Sequence, residues 1–251
     1  METRRYSVEH AGALLAGAVC LCRDAHGEKV FELPGGRIAK LFRRKRWLSS
    51  NTFLPYAKRF AHVAEEMARR GIATVDVLGV YQLPEIARQA VVYRKVEGDT
   101  LREALTRPGA AGLLVGQLAD LLAMLHDRGV YFRSLHFSNL VCSPSGLVLI
   151  DILDTTFRRG PLRSGLRVRN FRHLLRYDAD RRALAVYGAN AFVERYGAAT
   201  GWSARAQSRF VERLVRIEDF WAGRGSGVSQ PSGVFKVFSQ HPVPRRAAGG
   251  R

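Results

Sequence analysis

The spacing of apolar residues changes near residue 98, and this change limits the folds open to the chain. Before that point, short apolar runs alternate with polar residues and stop at turn-forming stretches such as DAHGE and PGG, which is typical of antiparallel strands. After it, apolar residues recur at the helical period. The strands are predicted at residues 17–24, 28–34, 37–42, 75–83 and 89–96, and the later helices at 110–129, 170–177, 181–197 and 204–223.

This pattern predicts an α+β fold with two lobes, a small antiparallel β-sheet lobe followed by a mostly helical one. We place the N-terminal lobe at residues 1–97 and the C-terminal lobe at 98–222. Residues 223–251 are rich in Gly, Ser, Pro and Arg, and we expect them to form a poorly ordered basic tail. With 251 residues, the chain is long enough to bury a substantial core.

One main helix is expected within the first lobe, at residues 55–70. Apolar residues recur on one stripe of this segment, and Gly71 follows as a stop signal. Two acidic residues, Glu65 and Glu66, stand next to each other near its end. Glu66 lies closer to the apolar stripe and is therefore the better placed to face the sheet.

The chain is strongly basic, with a formal net charge of +18. An excess of this size predicts attraction to polyanions, which include nucleic acids, anionic lipid headgroups and phosphorylated glycans. The positive charge is concentrated at residues 43–46 and 158–176. Each of these clusters is also compatible with a solvated surface that binds no ligand.

Targeting and redox signals favour a cytoplasmic protein. No apolar run approaches the roughly 18–20 residues that span a bilayer. Glu9 and His10 interrupt the basic and apolar stretches near the start, and no cleavage site follows, so export is not expected. Cys20 and Cys22 alternate along a strand and are predicted to be small core residues, and no second ligand pair indicates zinc.

Four polar positions occur in an order that suits phosphoryl transfer from ATP. Lys40 lies within the apolar strand RIAKLF, where an ammonium group needs a partner, and Glu66, or alternatively Glu65, is its candidate. Asn139 and Asp151 follow in LHDRGVYFRSLHFSNLVCSPSGLVLIDILD. Amide and carboxylate oxygens are suitable ligands for Mg²⁺, and a lysine can bind phosphate.

The motifs GRIAKLFRRKRWLSS, YRKVEGDTLREAL, GVYFRSLHFSNLV and LVLIDILDTTFRR resemble those of the protein-kinase-like superfamily. Within it, the chain is most similar to the bacterial kinases that phosphorylate heptose or Kdo in the lipopolysaccharide inner core. The resemblance implies ATP and Mg²⁺ as cofactors, with Lys40 and Glu66 at the nucleotide and Asn139 and Asp151 at both nucleotide and metal. It also implies a lipid-linked core glycan as acceptor, and a cytoplasmic enzyme in peripheral contact with the anionic inner membrane.

Three departures from the kinase pattern are present. No G-x-G-x-x-G lies between the first two strands, where only Gly27 is found. The Asp-Phe-Gly segment reads Asp151, Ile152, Leu153, which keeps the metal ligand. The His-Arg-Asp triplet reads Phe132, Arg133, Ser134, so the catalytic carboxylate is replaced by a hydroxyl.

Ser134 therefore decides between two hypotheses, because a serine does not act as a general base near neutral pH. In an active sugar kinase, Ser134, His136, Asn139 and Asp151 are the expected catalytic residues, and His136 or Asp154 replaces the missing carboxylate. In a pseudokinase, the fold binds a nucleotide or a partner without catalysis. A nucleic-acid binder is a third hypothesis, which the charge favours and the lack of recognition motifs opposes.

Overall fold

The structure, a computed structural model, describes residues 6–24, 27–43, 55–107, 109 and 111–215. Its N-terminal part contains six strands and one long helix, in the order that the sequence pattern predicts. The strands are β1 (Tyr6–Val8), β2 (Val19–Asp24), β3 (Gly27–Leu33), β4 (Arg37–Arg43), β5 (Val77–Leu83) and β6 (Arg88–Arg94). The helices of this part are the short α1 (Ala11–Leu14) and the long α2 (Tyr56–Arg69).

The six strands form one sheet in the order β1-β5-β6-β4-β3-β2. All neighbours are antiparallel except β1, which pairs in parallel with β5. This strand was not expected, because three residues give too short a pattern to be recognised in sequence. The predicted boundaries of the other five strands agree with the structure to within a few residues.

The two faces of the sheet are covered in different ways. One face packs against α2, whose buried side chains Phe60, Val63, Ala64 and Met67 belong to the main core. The opposite face carries a second core that includes Phe31, Leu33 and Leu41, and residues from α1 and the turn after it pack there. The apolar segment at residues 11–18 therefore acts as a cover for the sheet.

The C-terminal part is mostly helical, with two small two-stranded sheets. Its helices are α3 (Leu101–Ala104), α4 (Ala111–Asp127), α5 (Ser164–Leu174), α6 (Asp178–Tyr187), α7 (Ala189–Ala199) and α8 (Ala204–Val215). Its strands are β7 (Val130–Phe132), β8 (Leu140–Ser143), β9 (Gly146–Leu149) and β10 (Thr155–Phe157). Strand β7 pairs with β10, and β8 pairs with β9.

The predicted α+β, two-lobed architecture is confirmed, with a mostly antiparallel sheet followed by a mostly helical part. The boundary between lobes at residue 97 stays a prediction, as does the tail, since residues 216–251 lie outside the described part. A single helix was expected over residues 181–197, but the structure has two, separated by Gly188 with φ 101°. A residue with a side chain rarely adopts such a φ, and the glycine allows the chain to turn there.

Helix α2 is attached to the C-terminal lobe by two arginines. Arg70 donates from Nη1 to the carbonyl oxygen of Arg128, and at 3.0 Å to that of Arg158. In return, Nη1 of Arg128 donates to the carbonyls of Arg70 at 2.6 Å and Gly71 at 2.8 Å. We call these reciprocal bonds the arginine clasp. They satisfy carbonyl groups at the end of α2 that have no partner within the helix.

Two further expectations can be compared with the described residues. Cys22 is exposed because a register irregularity lies between Cys20 and Cys22, so the two cysteines do not both enter the core as predicted. In the described ranges, no helix has the length and apolar character that crossing a membrane requires.

Candidate functional site

The central feature of the site is an ion pair between the two lobes. Nζ of Lys40 on β4 lies 2.5 Å from Oδ1 of Asp151, which follows β9. The lysine side chain is only 7% exposed, whereas that of Asp151 is 46% exposed. Burying an ammonium group is costly without a charged partner, and here the carboxylate supplies it while remaining open to solvent.

Aromatic rings complete the surroundings of Lys40. Its Nζ lies 6.0 Å from the ring centre of Phe42 and 5.9 Å from that of Phe60, distances at which a ring face attracts a cation. Tyr93 stacks on Phe60 with ring centres 5.7 Å apart. Burial, together with the nearby charge of Asp151, raises the pKa of Tyr93, so its hydroxyl stays protonated.

Asp151 has an unusual backbone conformation. Its φ of 52° and ψ of 48° lie in the left-handed region, which few residues other than glycine occupy. Among the described residues other than glycine, only Ala87 shares a positive φ. Such conformations have a cost and occur often at functional sites. Here the turn directs the carboxylate towards Lys40.

Asn139 is held beside the strand that leads to Asp151. It ends a short 3₁₀ turn, Phe137–Asn139, and its carbonyl accepts a hydrogen bond from the Ile150 amide at 2.9 Å. Its side-chain Nδ2 donates to the carbonyl of Ser134 at 2.8 Å. The amide nitrogen is thereby fixed, and no donor from the described part of the chain contacts Oδ1.

The donor set at Asn139 and Asp151 fits a magnesium ion. One carboxylate oxygen of Asp151 bonds Lys40, and the residue is half exposed, so its other oxygen is open to a ligand. The amide oxygen of Asn139 is likewise without a donor, as described above. Both are hard oxygen ligands of the kind that Mg²⁺ prefers, with phosphate oxygens and water filling the remaining positions. In the described ranges, no group of three His, Cys, Asp or Glu residues forms a protein-only metal site.

The expected ion pair between Lys40 and Glu66 is not present in the structure. Oε1 of Glu66 accepts from Nε of Arg70 at 2.8 Å, and its Oε2 lies 2.7 Å from Arg69. These arginines follow Glu66 by three and four residues, at the end of α2 and directly after it, and are therefore its neighbours on the helix surface. Glu65, the alternative partner, lines a cavity between α2 and residues 72–77 and does not pair with Lys40 either.

Ser134 lies next to a carboxylate after all. Its hydroxyl is 3.4 Å from Oδ2 of Asp154, a long hydrogen bond. The pairing of β7 with β10 brings the two residues together, since Arg133 donates its amide to the carbonyl of Asp154 at 3.0 Å. Asp154 is exposed. A carboxylate therefore lies beside Ser134, and it comes from the 3₁₀ turn that precedes β10.

His136 is packed rather than free. Its ring meets Tyr177 edge to face, with centres 5.1 Å apart, and its buried Nδ1 has no hydrogen-bond partner among the described residues. Burial lowers the pKa of His136, an effect that Asp180 opposes and Arg102 reinforces. The imidazole is therefore neutral near pH 7 and able to accept a proton.

The segment at residues 133–139 is anchored by a residue to which no sequence pattern pointed. Asp180 at the start of α6 is fully buried. Its two oxygens accept from Arg102 at 2.8 and 3.0 Å, and Oδ2 also accepts from the amide of Phe137 at 3.1 Å. An aspartate at the first turn of a helix is read as a capping residue, and nothing local indicates a partner 78 residues earlier.

A second buried network fixes the beginning of the loop. Asn170 donates from Nδ2 to the carbonyl of Phe132 at 2.6 Å, and its Oδ1 lies 3.2 Å from Nε2 of His126. The other ring nitrogen of His126 contacts the hydroxyl of Tyr196 at 2.8 Å. Burial lowers the pKa of His126 to about 3, so this histidine is neutral in the folded protein. Both ends of the loop are thus tied to buried polar groups.

The connection between the lobes runs close against β8. Gly98, with φ 127°, approaches so closely that a Cβ there would lie 2.1 Å from the carbonyl oxygen of Cys142. The Cys142 amide donates to the carbonyl of Asp99 at 2.8 Å. Lys95 pairs with Glu32 on β3 at 2.7 Å. These contacts hold residues 95–99 against β8 and β3.

Comparisons with known proteins add information on the fold only. No protein-family model matches the chain, and no curated protein matches it in sequence. In structure, 1492 solved chains match. One of these structures is described as WaaP in complex with acyl carrier protein. It is 14% identical, with a TM-score of 0.41 over 72% of this chain and 88% of that one.

Proposed function

We propose that this protein is an ATP-dependent phosphotransferase acting on a sugar hydroxyl. The observation that carries the proposal is the pair formed by buried Lys40 and half-exposed Asp151 at the cleft between the lobes. A cation for phosphate beside an open carboxylate and amide oxygen is the arrangement that phosphoryl transfer requires. We further propose a heptose or Kdo residue of the lipopolysaccharide inner core as the acceptor, on the resemblance of the sequence motifs.

In this proposal, Lys40 binds phosphate oxygens of the nucleotide. Asn139 and Asp151 hold Mg²⁺, which neutralises charge on the phosphates when bound. Glu66 acts at a distance from the nucleotide, because its carboxylate holds Arg70 in the arginine clasp. It is a positioning residue for α2 in this structure and no longer the proposed partner of Lys40.

We propose that Ser134 and Asp154 together bind the acceptor hydroxyl. The carboxylate of Asp154 accepts or orients the proton, and the serine hydroxyl fixes its position. His136 remains the alternative, since its imidazole is neutral and lies near Asp151. Phosphoryl transfer through a loose transition state depends mainly on positioning, so a strong base is not required.

The proposed location follows from the proposed acceptor. A lipid-linked glycan would bring the enzyme to the cytoplasmic side of the inner membrane, whose anionic surface attracts basic segments. Arg43 is the described end of the basic run at residues 43–46, and it is exposed. The remainder of that run lies outside the described residues.

The direct test is transfer of labelled phosphate from ATP, with Mg²⁺, to underphosphorylated core glycolipid. Label should appear in the glycolipid with the wild-type protein and be lost with Asp151→Ala. Transfer by Asp151→Ala at the wild-type rate would refute the assignment of the site.

The second candidate is a pseudokinase, and Ser134 is the observation that favours it. This alternative expects Mg²⁺ and ATP to bind with no turnover on any glycolipid. Binding measured by calorimetry alongside the transfer assay separates the two functions. Loss of nucleotide binding in Lys40→Ala is expected under both.

A further inference from the structure

A cavity lies between α2 and the segment at residues 72–77. Its volume is about 340 Å³, within the range of sites that hold small organic molecules. The apolar part of its lining consists of Ala64, Ala68, Ile72, Ala73, Val75 and Val77. Two acidic residues, Glu65 and Asp76, line it as well. None of the residues assigned to the nucleotide, the metal or the acceptor lines it, so the cavity is a separate feature.

Glu65 is a half-buried carboxylate with no cation partner in the described part of the chain. Arg69 follows it by four residues on α2 and is placed to pair with it, but this arginine lies 2.7 Å from Glu66 instead. Asp76 pairs with Arg94 at 3.1 Å. The cavity therefore combines apolar walls with one carboxylate whose charge is not balanced.

Small side chains leave the cavity open. Ala64 and Ala68 stand one turn apart on α2, and together with Ala73 they leave space that larger side chains would fill. Ala68 and Ala73 are exposed, so the mouth opens to solvent, whereas Ile72 is buried. A ligand with an apolar body can therefore enter and remove apolar surface from water.

One wall of the cavity is bonded to the strand that leads to Asp151. The Leu149 amide donates to the carbonyl of Ala73 at 3.0 Å, and the hydroxyl of Thr74 donates to the carbonyl of Leu149 at 2.9 Å. Leu149 ends β9, two residues before Asp151. A displacement of this wall is therefore transmitted to the turn that holds the Asp151 carboxylate.

The opposite wall is helix α2, which carries Phe60. The ring centre of Phe60 lies 5.9 Å from Nζ of Lys40, the other member of the ion pair at the cleft. A ligand that packs between α2 and residues 72–77 would therefore restrain both sides of the proposed nucleotide site at once.

We propose that this cavity binds a small organic amine, a protonated amino group on an apolar body. The ammonium group pairs with Glu65, and the apolar body packs against Ala64, Ala68 and Ile72. The chain as a whole is basic and attracts anions over long distances, so a preference for a cation here comes from the local carboxylate. Amine binding is independent of the proposed kinase activity, whereas its effect on nucleotide binding rests on the proposed nucleotide site.

Methyl NMR of the full chain measures binding with three probes of similar size: benzylamine, benzyl alcohol and benzoate. The methyl signals of Ala64, Ala68 and Ile72 should shift with benzylamine, and should saturate at a concentration at least about tenfold lower than with benzyl alcohol. Benzoate should leave these signals unchanged. If benzyl alcohol or benzoate binds here as tightly as benzylamine, the proposal is overturned.

The variant Glu65→Gln keeps the shape of the side chain and removes its charge. It should reduce the affinity for benzylamine about tenfold and leave the affinity for benzyl alcohol unchanged. The matched control is Glu194→Gln, which removes the same charge from an exposed position on α7 and should change neither affinity. Equal losses of benzylamine affinity in both variants would contradict a defined site.

A second variant tests the position of the site without changing its charge. Ala68→Leu places a larger side chain at the mouth of the cavity, and the fold should tolerate it because Ala68 is exposed on α2 and leucine is a good helix former. Benzylamine binding should be lost. Binding that persists at the wild-type affinity would place the amine elsewhere and overturn the proposal.

Titration with Mg²⁺ and a non-hydrolysable ATP analogue measures the connection to the cleft. Benzylamine should tighten binding of the analogue about fivefold or more, and the analogue should tighten benzylamine binding by the same factor. Independent binding of the two ligands would refute the restraint of the nucleotide site. If the amine binds as expected and the analogue does not bind at all, the proposed nucleotide site fails while the amine site is supported.

Discussion

Lys40 and Asp151 lie 111 residues apart in the chain and form a 2.5 Å ion pair that joins the two lobes at the cleft. The pair has two consequences. It compensates the burial of the ammonium group, and it holds the carboxylate where a magnesium ion would meet nucleotide phosphates. The residues of the site are therefore coupled even before a ligand binds.

The first prediction concerns this coupling. Asp151→Ala should lower the free energy of unfolding by about 1–3 kcal/mol, because Lys40 is left buried without its partner. The double variant with Lys40→Met and Asp151→Ala has no charge at either position. Its loss in the free energy of unfolding should be smaller than the sum of the losses of the two single variants. Urea denaturation of the three variants measures this coupling, and strict additivity would contradict it.

The second prediction identifies the residue that handles the acceptor proton. Asp154→Asn should lower kcat about 10²–10⁴-fold with little change in nucleotide affinity, since a positioned base contributes on this order. Ser134→Ala should have a smaller effect, because the serine only orients the carboxylate. If His136→Gln loses more activity than Asp154→Asn, the histidine is the proton acceptor instead.

The third prediction concerns Asp180, which anchors the segment at residues 133–139. Asp180→Ala should reduce stability by about 3–5 kcal/mol, because Arg102 and the amide of Phe137 both lose a buried acceptor. Asp120→Ala is the matched control, since it removes a similar arginine pair from an exposed site and should cost at most about 1 kcal/mol. Equal losses of stability in thermal unfolding of the two variants would contradict this prediction.

The fourth prediction is a pH dependence that arises from His126. Its pKa in the folded protein is about 3, below the usual value of 6.5, so the unfolded chain binds the proton more strongly. The stability from the neutral ring is fully present above pH 6.5 and declines as the pH falls towards 3, by roughly 1.4 kcal/mol per pH unit. His126→Gln should flatten this decline in chemical denaturation. The exposed His62 serves as control, and an identical flattening by His62→Gln would refute the assignment.

The fifth prediction concerns the arginine clasp. Arg70→Ala removes bonds to two carbonyls and to Glu66, and should reduce stability by about 1–3 kcal/mol. Amide exchange should become faster at the end of α2 and around residues 128–130. Arg69→Ala removes one exposed contact to the same glutamate and should leave exchange unchanged. Exchange that accelerates equally in both variants would speak against the clasp.

Local patterns were sufficient to predict most of the fold. The alternation in β2 to β6 and the apolar stripe of α2 are set by residues close in sequence, so their elements could be read directly. Strand β1 could not, because its three residues are stabilised by pairing with β5 some seventy positions away. The division of α6 from α7 was missed because the apolar period continues across Gly188.

Local patterns likewise predicted only those parts of the site that stand in sequence motifs. Lys40, Asn139 and Asp151 stand in recognisable motifs, and the structure brings Lys40 and Asp151 into contact. Glu66 was paired with the wrong cation, because helical periodicity shows which face a residue occupies but not which neighbour it chooses. Asp180 and Asn170 gave no signal, since their partners are set by tertiary packing.

The arginine clasp also bears on how the chain could be divided. Helix α2 precedes the sheet strands β5 and β6, yet its end is bonded to the turn between α4 and β7. A fragment cut after residue 97 would keep the helix but lose the carbonyls that Arg70 binds. The complementary fragment would expose the apolar surface against which α2 and the sheet pack. Neither fragment should therefore fold when it is expressed alone. Co-expression of the two fragments should allow both to fold.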